Sequence, residues 1–229
     1  MKKRIISILS VVLILSVLLM GCGSGSKSTT PNDEGSSDNS GAKYKVGVLM
    51  SQNADTFIQK ITDGIKAQAE KYPEIELLIN DAEGETEKQI SQCETLVAQK
   101  VDAIIANVVD AEGSNPIVEM CNEAGIPLVL CNRLTTNENY DVYTGSNDVE
   151  AAKIQSEFVK KVLPAGSKVC IMYGPIGISP QILRKQGYEE SGIFDDYEVL
   201  QDQTANWKRD EALALAEGWL TRYPELDGI

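Results

Sequence analysis

From Tyr44 onward, short apolar runs alternate with longer segments whose apolar residues recur every three or four positions, and this alternation limits the fold more than any other feature. The runs Tyr44–Met50, Ile75–Asn80, Ala103–Asn107, Pro127–Asn132 and Asp141–Gly145 read as strands. Between the first two, Asp55–Tyr72 carries Phe57, Ile58, Ile61, Ile65 and Ala69 at helical spacing and stops at Pro73. Glu85–Lys100 sets Ile90, Cys93, Leu96 and Val97 on one face, and a third helix opens near Pro116 and ends at Gly125. Unbroken apolar strands between amphipathic helices predict an α/β fold with a parallel sheet covered on both faces. The alternation then restarts with helix Asp148–Leu163, strand Lys168–Tyr173, helix Pro180–Ser191, strand Tyr197–Gln203 and helix Trp207–Tyr223. Leu226–Ile229 reads as the opening of a further strand. A second unit of two strands and the start of a third leaves a sheet edge unfilled, so the chain reads as truncated relative to its natural architecture.

The N-terminus has a different character. Lys2, Lys3 and Arg4 precede an apolar run from Ile5 to Met20 that ends in Gly21-Cys22. A basic start, an apolar stretch and a small residue before a cleavage point describe an export signal over residues 1–21. A membrane-spanning anchor is the competing reading, but the run is short for a span and no basic stop-transfer cluster follows it. Leu19-Met20-Gly21-Cys22 resembles the lipobox of bacterial lipoproteins, which implies cleavage before Cys22 and lipidation of that cysteine. Residues 22–42 are Gly, Ser, Thr, Asn and Asp with hardly an apolar side chain, as in a flexible tether. The expected location is therefore extracytoplasmic, on the outer face of the cytoplasmic membrane.

Composition removes several functions. With 34 acidic against 21 basic residues the net charge is −13, and the signal holds three of the basic ones. That balance leaves no basic footprint for nucleic acid. Aromatic residues are 6% of the chain, too few for a base-stacking surface. There is no histidine, which excludes His-based acid–base catalysis, Ser/His and Cys/His triads and the commonest zinc ligand sets. No catalytic residue, cofactor or metal cluster is assigned, and the chain is not expected to be an enzyme. Cys93, Cys121, Cys131 and Cys170 lie on apolar faces without CxxC spacing and read as buried free thiols.

In open α/β sheets ligands bind beyond the carboxyl ends of the strands. Those ends carry Asn53, Asp55 and Phe57, then Asn107 and Asp110, then Asn132 and Arg133. In the second unit they carry Gly174–Arg184 and Asn206-Trp207. Carboxylates, amides and a guanidinium beside flat aromatic faces suit a ligand with a rim of hydroxyls and apolar C–H faces, as a sugar has. Each residue also has a plainer role open to it. Asp55 could cap a helix, Phe57 and Trp207 could be core, the asparagines could satisfy strand-end backbone, and Arg184 could pair with Glu189 or Glu190.

The order of these stretches, Asn53–Ile58, Ile104–Asp110, Ile126–Arg133, Thr144–Asp148, Gly174–Gly187 and Thr204–Trp207, resembles the type I periplasmic-type binding proteins of sugar ABC transporters. The galactose/glucose- and ribose-binding branch is the nearest part of that family, and the resemblance runs from about Lys43 to Ile229. It implies a two-lobed α/β fold, each lobe a doubly wound parallel sheet flanked by helices. The first lobe would span 43–145 and an incomplete second lobe 146–229. It implies a monomer that captures a monosaccharide between the lobes and hands it to an ABC transporter permease. A ligand sensor of the same fold, signalling to a chemoreceptor or sensor kinase, is the alternative. By position, Asp55, Asn107, Asn132 and Arg133 would meet sugar hydroxyls, Phe57 and Trp207 would stack on opposite ring faces, and Arg184 would donate from the second lobe. Galactose-binding relatives place a His and an Asp shortly before that arginine. Ile178 and Pro180 stand there here, which points away from galactose and glucose. The family's remaining contacts fall beyond Ile229, so the chain is expected to hold part of a site.

Overall fold

The computed structural model describes residues 44–229, so the signal, Cys22 and the tether lie outside the described residues. Five strands form a wholly parallel sheet in the order β2-β1-β3-β4-β5. These are β1 (Tyr44–Met50), β2 (Ile75–Asp81), β3 (Ala103–Ala106), β4 (Leu128–Cys131) and β5 (Val142–Thr144). The chain steps outward from β1 to β2 and then back across to β3. The two loops leaving β1 and β3 therefore diverge and open a crevice at the sheet's carboxyl edge.

Helices α2 (Thr86–Ala98) and α3 (Asn115–Ala124) cover one face of this sheet, and α1 (Thr56–Ala69) lies on the other. The larger core joins Leu49, Ile104, Leu128 and Leu130 of the sheet to Leu96 of α2 and Ile117 and Val118 of α3. The smaller one joins Val48 and Met50 to Ile58, Ile61 and Ile65 of α1. Both faces thus carry helices, as expected, but the cover is unequal. One helix about 10 Å across spans roughly two strands spaced about 4.8 Å apart. Beside α1 an apolar groove of about 440 Å³ remains, lined by Val46, Ile61, Ile65, Leu77 and Ile105.

The second unit runs α4 (Asp148–Val162), β6 (Lys168–Tyr173), α5 (Ser179–Glu190), α6 (Ile193–Asp196), β7 (Glu198–Thr204) and α7 (Arg209–Arg222). β6 and β7 pair in parallel, with an irregularity between Val169 and Cys170. The expected third strand is represented by a single bridge from Gly228 to Val169, backed by Asp227 N–H donating to the Lys168 carbonyl at 2.8 Å.

Two elements differ from the sequence expectation. The four-residue α6 was not anticipated, being too short to carry a period. The last helix begins at Arg209 rather than Trp207, because Asn206 and Trp207 both take left-handed backbone angles, φ +52° and +58°. Trp207 is consequently a loop residue at the end of β7.

Candidate functional site

On the first sheet's carboxyl edge, the loop after β1 is braced from within. Asn53 N–H donates to Asp81 Oδ1 at 3.1 Å, and Thr62 Oγ1 donates to Asn53 Oδ1 at 2.7 Å. This sets Asp55 at the head of α1, where its Oδ1 accepts from Phe57 N–H at 2.7 Å and Ile58 N–H at 3.3 Å. The helix cap occupies one carboxylate oxygen and leaves Oδ2 for another donor. Phe57 is 57% exposed, which excludes a core role for its ring.

The loop after β3 is anchored by a side chain that sequence reasoning passed over. Gln89 lies four residues before Cys93, on the apolar face of α2, and is fully buried. Its Nε2 donates to the Asn107 carbonyl at 2.9 Å and its Oε1 accepts from Val109 N–H at 3.0 Å. A glutamine on the apolar stripe was the available signal. Asn107 is also fully buried. It accepts from Ser51 Oγ at 2.6 Å and donates to the Cys131 carbonyl at 2.9 Å and Asn132 Oδ1 at 3.3 Å. Every polar atom of its side chain is engaged, so it braces Asn132 from beneath.

Asn132 itself has φ +64°, a conformation asparagine tolerates better than most residues. Arg133 follows, half-buried, with Nη1 donating to the Val108 and Val109 carbonyls at 3.1 and 3.4 Å. Burial pulls the Arg133 guanidinium below its ordinary pKa, while the Asp55 and Cys131 side chains push it back up. Asp55 and Arg133, 78 residues apart in sequence, are thereby electrostatic neighbours at the mouth of the crevice.

The second unit contributes an ion pair and an indole. Arg184 Nε donates to Asp148 Oδ1 at 2.9 Å. Asp148, in the first turn of α4, is the partner that sequence reasoning did not name. Glu190 instead pairs with Lys153 at 2.6 Å. The Arg184 guanidinium sits 5.9 Å from the Trp207 ring centroid, within cation–π range. Trp207 is 50% exposed and rests its other side on backbone. A Cβ added to Gly174 would lie 2.3 Å from Trp207 Cζ2 and 2.4 Å from its Cε2. Thr204 Oγ1, donating to the Gly174 carbonyl at 2.6 Å, fixes that approach. Two consecutive non-glycine residues at positive φ hold the ring out of the helix that follows.

Gly174→Ala therefore displaces the indole without touching the rest of the fold. The expected result is a shift in Trp207 emission with unchanged secondary structure, read by fluorescence and circular dichroism. An unaltered spectrum would show that the ring does not depend on this contact.

Two backbone amides join the two edges by hydrogen bonds. Ala111 N–H donates to the Gly177 carbonyl at 2.9 Å, and Leu134 N–H donates to Ser179 Oγ at 2.7 Å. Gly177 has φ +92°, and a Cβ there would fall 2.3 Å from Asp110 Oδ2. Only glycine fits between the two loops. Ile178 and Pro180 are buried beside this junction, so the α5 start is apolar packing around Ser179.

Two parallel sheets flanked by helices, each with polar and aromatic groups at the carboxyl ends of its strands, make up an α/β fold of the type I periplasmic binding kind. The chain belongs to the periplasmic binding protein domain family, whose family model matches residues 46–229. It is 31% identical over 213 residues to the xylitol-binding protein of Mycolicibacterium smegmatis, covering 92% of this chain and 58% of that protein. Its fold is similar to that of an ABC transporter solute binding protein from Bacillus halodurans solved with bound myo-inositol. That match has a TM-score of 0.76 and 33% identity, over 81% of this chain and 65% of the other. It is also similar to the fructose binding periplasmic domain of a hybrid two component system, with a TM-score of 0.74 and 25% identity, over 80% of this chain and 61% of that one. The chain thus spans somewhat over half the length of the relatives it matches.

Proposed function

We propose that this chain is the extracytoplasmic solute-binding component of an ABC import system, a binding protein without catalytic activity that captures a monosaccharide or related polyol between two lobes. The lobes are 43–145 and 146–229. Cys22, exposed by signal cleavage, carries the lipid that tethers the protein to the outer face of the cytoplasmic membrane. The observation that supports this reading most is the chemistry that each lobe carries at the carboxyl ends of its strands. Asp55, Asn132 and Arg133 offer acceptors and donors from one lobe, while Arg184 and Trp207 offer a donor fork and a flat apolar face from the other. Phe57 supplies a second exposed ring, and Asn107 holds Asn132 in place. A polyhydroxylated ring or chain satisfies such a set, as the xylitol, myo-inositol and fructose named for the relatives would. Contacts from both lobes then shift the open–closed equilibrium toward closure.

The test is a titration followed by Trp fluorescence and thermal shift, using ribose, xylose, arabinose, rhamnose, galactose, glucose, fructose, allose, xylitol and myo-inositol. A full-length relative is run alongside. A saturable response to one of these supports the reading. No response to any of them, with the relative responding to its own ligand, would refute capture of this ligand class by this chain. Fatty-acid labelling that is lost in Cys22→Ser tests the anchor.

A second reading keeps the same ligand class but passes the closed form to a sensor kinase or chemoreceptor, and the likeness to the two component periplasmic domain favours it. Uptake of labelled sugar in a strain lacking the protein separates the two.

A further inference from the structure

The turn that carries Trp207 has to be held against its own backbone preference. Asn206 and Trp207 both lie at positive φ, where a side chain crowds the backbone, and neither is glycine. A right-handed alternative is close at hand. α7 begins at Arg209, two residues further on, and the sequence itself reads as helical from Trp207. Were the helix to take up that earlier start, the indole would swing away from Gly174 and Arg184. Within the loop, Asn206 N–H donates to Thr204 Oγ1 at 3.1 Å, and Lys208 N–H donates to the Ala205 carbonyl at 2.8 Å. A further restraint comes from α7. Glu211, in its first turn, accepts from Asn206 Nδ2 through Oε2 at 2.7 Å and pairs through Oε1 with Lys208 Nζ at 2.8 Å. One carboxylate thus grips the residues immediately before and after Trp207.

We propose that Glu211 is a positioning residue for Trp207: its two oxygens lock the left-handed turn and so hold the indole against Gly174 and beside Arg184, ready for a ligand ring to stack on. This rests on the proposed role of Trp207 as a ligand contact and adds the group that sets its orientation. Exposed pairs of this kind add little to global stability. Their effect here falls on the balance between two conformations of one turn. A ligand that stacks on the held ring binds in proportion to the fraction of molecules that present it.

An acidic side chain in the first turn also suits the positive end of a helix, whatever it touches. Asp210 shares that turn and that charge, but among the described residues it holds neither Asn206 nor Lys208. It therefore separates a general charge effect from the grip on the turn.

The experiment compares the parent chain with Glu211→Ala, Glu211→Gln and Asp210→Ala. Acrylamide quenching of Trp emission is measured without ligand, followed by titration with whichever sugar the parent answers to. Trp219 is 3% exposed and shielded from the quencher, so the quenched emission is that of Trp207. Glu211→Ala should raise the quenching and weaken sugar binding by roughly 3–10-fold. Its melting temperature should stay within about 2 °C of the parent. Glu211→Gln should fall in between, since an amide keeps one acceptor oxygen and so one of the two partners. Asp210→Ala should match the parent in both readouts. Unchanged quenching in Glu211→Ala would overturn the proposal, as would an equal change in Asp210→Ala. So would an unaltered sugar affinity once the ring is loosened, or a melting temperature that falls in step with affinity. If the parent answers to no sugar, the import reading fails by itself, and the quenching comparison still decides whether Glu211 holds the ring.

Discussion

Trp207→Ala is expected to weaken binding of the responding sugar by roughly 100-fold while leaving the melting temperature within about 2 °C of the parent. One indole face that passes from water to a ring's C–H surface removes about 100 Å² of apolar area. At about 25 cal/mol per Å² this is close to 2.5 kcal/mol, or nearly two decades in affinity. Stability should hardly change, because the ring is half exposed and its supports, Gly174 and the Asn206 turn, are backbone features. Isothermal titration beside a thermal melt makes the comparison. Unchanged affinity would remove Trp207 from the site, and a large fall in melting temperature would recast it as a packing residue.

The second large effect concerns Arg184 and Asp148, and it is asymmetric. Asp148 is 2% exposed, whereas the Arg184 side chain is 35% exposed and can reach water if its partner is lost. Asp148→Ala should therefore cost only about 1–2 kcal/mol of unfolding free energy, the breaking of one charge-assisted hydrogen bond. Arg184→Ala leaves a carboxylate stranded in the interior and should cost about 3 kcal/mol, at the lower end for a broken buried pair because the start of α4 partly stabilises the charge. Urea denaturation of both variants and the double variant measures this. Equal costs, or a larger one for Asp148→Ala, would refute the asymmetry. Both substitutions should also weaken ligand binding, since Asp148 is what holds the guanidinium over Trp207.

Local pattern carried much of the fold. β1 and β6 match their apolar runs residue for residue, and the helices on the first sheet differ at their ends by a few positions. Those elements are legible because burial imposes a period that composition cannot hide. The site was less so. Asp55 and Arg133, Asn107 and Asn132, and Arg184 and Asp148 are each joined by chain crossovers, and periodicity says nothing about partners separated in that way. The sequence offers Arg184 its near neighbours Glu189 and Glu190, yet its partner comes from α4, 36 positions away. Trp207 reads as helical from sequence because nothing in Asn-Trp announces two left-handed residues, an arrangement that glycine would have advertised. Gln89 was legible in principle. A fully buried amide on an otherwise apolar stripe requires backbone partners, and it found them in the loop after β3.

Joining the lobes through the amides of Ala111 and Leu134 gives the protein its own clock. Each proton is shielded only while the two halves are together, and each is released to solvent deuterium whenever they part. Their exchange rates, set against amides in β3 and β4 that stay covered in either state, would give the frequency of opening without any attached label. A bound ligand that favours closure must slow those two sites in proportion to its occupancy.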